Sequence, residues 1–108
     1  MPYARLRRDA NHAEVADIWQ RYGWMVVDTS RVGSNAVPGF PDLLVVRWPL
    51  VLLVEIKHGK SATLTDDESA FAERIGTPPY VVCRGVEEAH TMARRWREMA
   101  DTLRKEVQ

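Results

Sequence analysis

The sequence predicts an α/β fold, a mixed central sheet with helices on its faces, in the order αβββαβα. Three observations predict it. Two short runs rich in Val and Leu, Leu43–Val46 and Leu50–Ile56, are bounded by Gly39, Pro41 and Pro49 and read as strands. A third run, Tyr80-Val81-Val82-Cys83, follows the helix-to-strand turn Thr77-Pro78-Pro79. Apolar residues recur at helical spacing towards both ends, as Val15, Ile18, Trp19 and Tyr22 and again as Ala89, Met92, Trp96, Met99 and Leu103.

The first stripe predicts a helix over about 10–22, with Asn11 as N-cap and Glu14 three residues later in capping-box position. Trp24-Met25-Val26-Val27-Asp28 is the first strand, and a polar loop from Asp28 to Pro38 follows. Strands over about 42–47 and 50–57 form a hairpin through Arg47-Trp48-Pro49-Leu50. Leu50 to Val54 are apolar at every position, as expected of a strand covered on both faces. Thr65-Asp66-Asp67-Glu68 starts a helix over about 66–75: Thr65 caps, acids fill the first turn and Glu68 completes a capping box. Strand 80–83 buries Cys83, and a helix over about 86–105 closes the order. Half of that last helix covers the sheet. The stretch from Trp96 to Leu103 is either a homodimer contact or packed on its own domain.

Composition bounds the rest. With 108 residues, 45% of them hydrophobic, the chain holds one core and one domain, residues 1–108. Arg47 and Pro49 interrupt the apolar stretch, which is too short to span a bilayer. Met-Pro-Tyr-Ala-Arg-Leu-Arg-Arg lacks an apolar segment after its charges, so no secretory leader is expected. The single cysteine excludes an internal disulfide and a cysteine-based zinc site, and the expected compartment is the cytoplasm. His12, His58 and His90 have no metal-ligand spacing. Fifteen basic and fifteen acidic residues cancel, which argues against a nucleic-acid partner. Their distribution softens this, because residues 1–60 hold 8 Lys/Arg against 6 Asp/Glu and residues 61–108 hold 7 against 9.

Asp42, Glu55 and Lys57 are charged residues set in the most apolar part of the chain. Side chains alternate along a strand, so Glu55 and Lys57 share one face while Val54 and Ile56 point to the other. Asp42 opens one hairpin strand and Glu55 ends the next, which places both acids at one edge of the sheet. Adjacent carboxylates repel, and a hard divalent cation with oxygen ligands relieves the repulsion. The backbone carbonyl of Ile56 offers a third oxygen, and Lys57 stands ready to hold or deprotonate a water and to stabilise negative charge. Metal, activated water and ammonium suit phosphodiester hydrolysis. The plainer alternative is a cross-strand ion pair of Lys57 with Glu55 or Asp42.

Pro41-Asp42, a spacer and Glu55-Ile56-Lys57 together resemble the PD-(D/E)xK nuclease signature. The flanking segments Asp9-Ala10-Asn11-His12-Ala13-Glu14, Asp28-Thr29-Ser30-Arg31-Val32-Gly33 and Leu64-Thr65 with Glu68 and Phe71 resemble the small phage-type VRR-Nuc group. That group is similar to archaeal-type Holliday junction resolvases, and the likeness runs from about Arg8 to Ala93. It implies a restriction-endonuclease-like αβββαβ core with an added C-terminal helix. It further implies a bacterial or phage-encoded, Mg²⁺-dependent DNA endonuclease, structure-selective, with Mn²⁺ as a substitute. In that likeness Asp42, Glu55, the Ile56 carbonyl and Glu14 hold metal, while Asp42, Glu55, Lys57 and Glu14 are catalytic. Glu14 also fits the local role of capping Asn11. Ser30 matches a position near the scissile phosphate, although its segment also reads as an ordinary loop. Relatives carry Gln near Glu68, so the Glu here departs from the pattern. Arg8, Ser30, Arg31, His58 and Lys60 are the expected DNA contacts, with Arg5 and Arg7 extending the basic face. Gly33 and Gly39 flank a segment able to move or to let a DNA backbone come close. The narrower alternatives are a Holliday junction resolvase and a catalytically silent DNA-binding or assembly module. Branched or duplex DNA, a second copy of the chain and no membrane are the expected partners.

Overall fold

The computed structural model describes residues 2–30 and 36–107, with residues 2–10 by backbone alone. Its elements are α1 (Pro2–Arg21), β1 (Met25–Asp28), β2 (Leu43–Arg47), β3 (Leu50–Ile56), α2 (Asp66–Ile75), β4 (Tyr80–Cys83) and α3 (Val86–Val107). Among the described residues, these elements follow the expected order. The strands lie side by side as β1-β2-β3-β4, with the first three antiparallel and β4 parallel to β3. Parallel neighbours need a long connection, and α2 supplies it. Among the described residues, no helix is long and apolar enough to cross a membrane.

Alternation along the strands sorts the sheet into two faces. Leu43, Val45, Leu52, Val54, Ile56 and Cys83 point to one face, where they pack with Val15, Ile18 and Trp19 of α1 and Ala89 and Ala93 of α3. Fully burying each large side chain contributes about 1.5–3 kcal/mol against the entropy of ordering it. Trp24 meets Trp19 edge to face at 5.2 Å. Its indole N–H donates to the Ala93 carbonyl at 3.0 Å, so a buried donor is satisfied and the turn before β1 is tied to α3.

Three features differ from expectation. Helix α1 begins at Pro2, so Asn11 lies inside the helix and the capping box with Glu14 does not form. Pro at a helix start forfeits only an N–H that has no partner anyway, and Ala4, Arg5, Leu6, Arg7, Arg8 and Ala10 are strong helix formers. The buried side of α3 is Ala89, Ala93 and Ala100, while Met92 and Trp96 are half-buried and Met99 is exposed. Of the expected stripe, Ala89 lies in the core with Met92 and Trp96 packed against it, while Met99 turns outward; beside bulky Trp19 and Trp24 the closest approach of α3 is made by the methyl groups of Ala89 and Ala93. Buried Ala100 and the 3.0 Å ion pair of Asp101 with Arg47 hold the stretch after Trp96 against its own domain.

The third difference lies on the other face, which carries Leu44, Val46, Leu53, Glu55 and Tyr80. Helix α2 covers only part of it, through Phe71, whose ring lies 6.1 Å from Tyr80 and 5.3 Å from Phe40. With 10 residues and none of them buried, α2 cannot reach the hairpin end. Coverage of β3 on both faces therefore holds from Leu52 to Ile56 and fails at Val51, which is 48% exposed.

Candidate metal and catalytic site

The β2–β3 ladder ends at the pair Leu43–Val54, one residue short of Asp42 and Glu55. Beyond it a side chain takes over: Asp42 Oδ2 accepts the backbone N–H of Ile56 at 2.9 Å. The Asp42 carbonyl accepts from the Thr29 N–H at 2.9 Å, and the Thr29 hydroxyl donates to the Pro41 carbonyl at 2.6 Å. Buried Pro41 and these bonds fix the approach of Asp42, so its carboxylate is anchored at the residue next to Glu55.

Glu55 is 4% exposed, a cost that a carboxylate recovers only through partners. Lys57 Nζ lies 3.6 Å from Glu55 Oε2, but it lies 2.6 Å from Glu68 Oε1. Glu68 is held in turn by α2: its Oε1 accepts from the Thr65 N–H at 2.8 Å, and its own N–H donates to Thr65 Oγ1. The capping box expected here therefore forms, and the same carboxylate serves as the main partner of Lys57. Burial pushes the Glu55 carboxyl up to about 9, helped by the charges of Asp42 and Glu68 and a hydrogen bond to Glu68 and opposed by Lys57. Burial is the largest single effect on Lys57 and Glu68 and opposes the charged form of each, but their mutual bond and charge, together with Glu55 and the Thr65 N–H, outweigh it, raising Lys57 and lowering Glu68. The net direction favours the ammonium form of Lys57, which suits holding a water and countering negative charge.

Mg²⁺ binds through one or two carboxylates and keeps several waters. Asp42 and Glu55 offer the two carboxylates, joined through the Ile56 N–H and repelling each other, and the Ile56 carbonyl follows Glu55 in the chain as a further oxygen donor. Among the described residues, no group of three or more His, Cys, Asp or Glu side chains is placed to hold a metal ion. The donor set fits a cation that brings most of its own ligands as water, and it does not fit a cage built from side chains.

The other expected site residues are scattered. Glu14 is exposed on α1, and its charge is not among those acting on Glu55. The Ser30 hydroxyl donates to Asp28 Oδ1 at 2.6 Å, and its N–H does so at 3.0 Å, a turn that His12 reinforces from α1 at 3.2 Å from Asp28 Oδ2. His58 and Lys60 are exposed in the loop after β3. The Arg84 guanidinium straps that loop by donating to the carbonyls of Gly59 and Ala62. Arg8 lies on α1 with its backbone alone described, as do Arg5 and Arg7; Arg31 and Gly33 lie outside the described residues. Gly39 does admit a close approach, but of the α2 backbone rather than of DNA: a Cβ there would stand 2.2 Å from the Asp67 carbonyl oxygen.

Sequence reasoning missed Tyr80 and Arg84, and it favoured the cap role of Glu68 over a part in the active site. The shared Thr65-x-x-Glu68 spacing could signal only the cap, because its link to Lys57 depends on where α2 crosses the sheet. Comparisons with protein-family models, curated proteins and solved structures returned no match.

Proposed function

We propose that the chain is a magnesium-dependent DNA endonuclease on a restriction-endonuclease-like core, hydrolysing phosphodiester bonds by recognition of DNA structure, with Mn²⁺ able to substitute. The observation that carries the reading is the 2.9 Å bond from Ile56 N–H to Asp42 Oδ2, which sets one carboxylate beside the buried second one, with the Lys57 ammonium 3.6 Å from Glu55. The resemblance of Pro41-Asp42 and Glu55-Ile56-Lys57 to the PD-(D/E)xK signature supports it. A bound Mg²⁺ would supply Lewis acidity towards a phosphoryl oxygen and a water of lowered pKa. Asp42, Glu55 and the Ile56 carbonyl would hold it. Lys57, kept cationic, donates to the attacking water and offsets charge growing on the phosphate. Glu14 acts only through a second ion or an intervening water.

The DNA face combines Arg8, Ser30, Arg31, His58 and Lys60, and binding through such cations weakens steeply with salt. Cutting a branched DNA at two strands requires a second active site, which a homodimer would provide. A phage or bacterial cytoplasm is the setting that the resemblance implies. Incubating the protein with four-way junction, flap, single-stranded and duplex DNA in Mn²⁺ tests the proposal. Cleavage that disappears in Glu55→Gln supports it, and preference for junctions over duplexes marks a resolvase in the narrow sense. One observation favours a catalytically silent DNA-binding module: Lys57 is bonded more closely to Glu68 than to Glu55. DNA binding without cleavage, together with no heat of Mg²⁺ binding by calorimetry, would select that reading.

A further inference from the structure

Tyr80 opens β4 in register with Leu53, so its ring rises from the same sheet face as Glu55, on the neighbouring strand. The residue is 1% exposed under Phe71. Its hydroxyl is buried and, among the described residues, meets no hydrogen-bond partner. Leaving a buried hydroxyl unsatisfied is a cost that a phenylalanine in the same place would avoid. A phenol carries its proton at neutral pH. The group is therefore a buried donor on the sheet face that carries Glu55, without a hydrogen-bond partner among the described residues.

A carboxylate that ligates a cation through one oxygen leaves the other oxygen to accept a hydrogen bond, and such outer partners orient the ligand. We propose that Tyr80 is a positioning residue for a divalent cation site: its O–H donates to the free oxygen of Glu55 when the other oxygen ligates the ion. The inference rests on the cation reading given above. Lys57 and Glu68 are held mainly by each other, and Lys57 approaches Glu55 through Oε2 at 3.6 Å, whereas the Tyr80 hydroxyl is a buried donor with no partner among the described residues. The backbone around Tyr80 favours the geometry, since its N–H donates to the Gly76 carbonyl at 2.9 Å and the strand ladder fixes the ring from below.

Calorimetric titration of Mn²⁺ into the wild type and Tyr80→Phe, beside thermal unfolding of both in chelator, tests the proposal. The expected result is Mn²⁺ affinity at least about tenfold weaker in Tyr80→Phe, with stability in chelator equal to or above wild type. Equal Mn²⁺ affinity in both proteins overturns the role of Tyr80 and leaves the cation site standing. No Mn²⁺ binding by the wild type overturns both. A loss of stability in chelator with unchanged affinity marks a purely structural residue and also overturns it. A second measurement needs no variant: Mg²⁺ added to protein labelled at tyrosine Cζ should move the Tyr80 signal and leave Tyr22 in place. A stationary Tyr80 signal under saturating Mg²⁺ counts against the proposal.

Discussion

Lys57 reaches past its strand neighbour to Glu68: its Nζ stands 2.6 Å from Glu68 Oε1 and 3.6 Å from Glu55 Oε2. A helix cap thereby sets the charge of the candidate site. Glu68→Gln separates the two roles, because Gln serves equally in a capping box but carries no charge. Stability should stay within about 1 kcal/mol of wild type, whereas Glu68→Ala, which also loses the cap, should fall about 1 kcal/mol lower. In Glu68→Gln the Glu55 carboxyl should titrate at lower pH, since Glu68 helps to keep its proton on. Carbon-detected NMR of the Glu55 carboxyl measures this, and an unmoved titration would show that Glu68 does not govern the site.

The raised pKa of Glu55 fixes how stability depends on pH in the cation-free protein. Its carboxyl is pushed up to about 9 from an ordinary 4.5, chiefly by burial and then by the charge of Asp42. Between these values the folded chain holds a proton that the unfolded chain has released. The contribution of Glu55 is therefore intact below about pH 4.5 and is lost as pH rises towards about 9, no faster than about 1.4 kcal/mol per unit. Urea denaturation in chelator across that window should show the decline, and Glu55→Gln should flatten it. A wild-type profile without slope there would rule out the protonated carboxyl.

The legible part of the molecule was what depends on neighbours in sequence. Val15, Ile18 and Trp19 announced the core side of α1, and the Val and Leu runs around Trp48-Pro49 announced the hairpin. Asp42 and Glu55 could be placed at one edge because antiparallel pairing through a short turn sets its own register. Tyr80 could not be placed, since its position beside Glu55 depends on the parallel β3–β4 register, which a 23-residue connection leaves free. The docking of α3 was hidden for another reason: alanines make a poor hydrophobic stripe on paper, yet their size is what Trp19 and Trp24 demand.

Asp42 combines a structural bond with a proposed ligand role, and two substitutions split them. In Asp42→Asn the amide oxygen still accepts the Ile56 N–H, so the strand end should hold and stability should change by less than about 1 kcal/mol. Mn²⁺ binding and DNA cleavage should disappear with the charge. Asp42→Ala also strands a part-buried N–H and should lose about 1–3 kcal/mol. Denaturation midpoints and a cleavage assay check both. Wild-type cleavage by Asp42→Asn would dismiss the site.

Gly39 offers a test of whether the position of α2 matters to the site. Its φ of +80° is already unfavourable for any side chain, and a Cβ would meet the Asp67 carbonyl oxygen at 2.2 Å and the Glu68 nitrogen at 2.8 Å. These are backbone atoms of the first turn of α2, so they cannot swing aside as a flexible side chain would. Gly59 is the matched control: its φ is +85°, and a Cβ there meets nothing within 4 Å. Gly59→Ala should therefore show only the cost of left-handed backbone, about 1–2 kcal/mol. Gly39→Ala adds overpacking and should be less stable than Gly59→Ala by a further 1 kcal/mol or so. Because the displaced turn carries Glu68, Gly39→Ala should also loosen the Lys57–Glu68 pair and lower the pH at which Glu55 titrates. Equal destabilisation by the two substitutions in urea would mean that α2 yields freely at its start, and that the grip of Glu68 on Lys57 does not depend on its seat against Gly39.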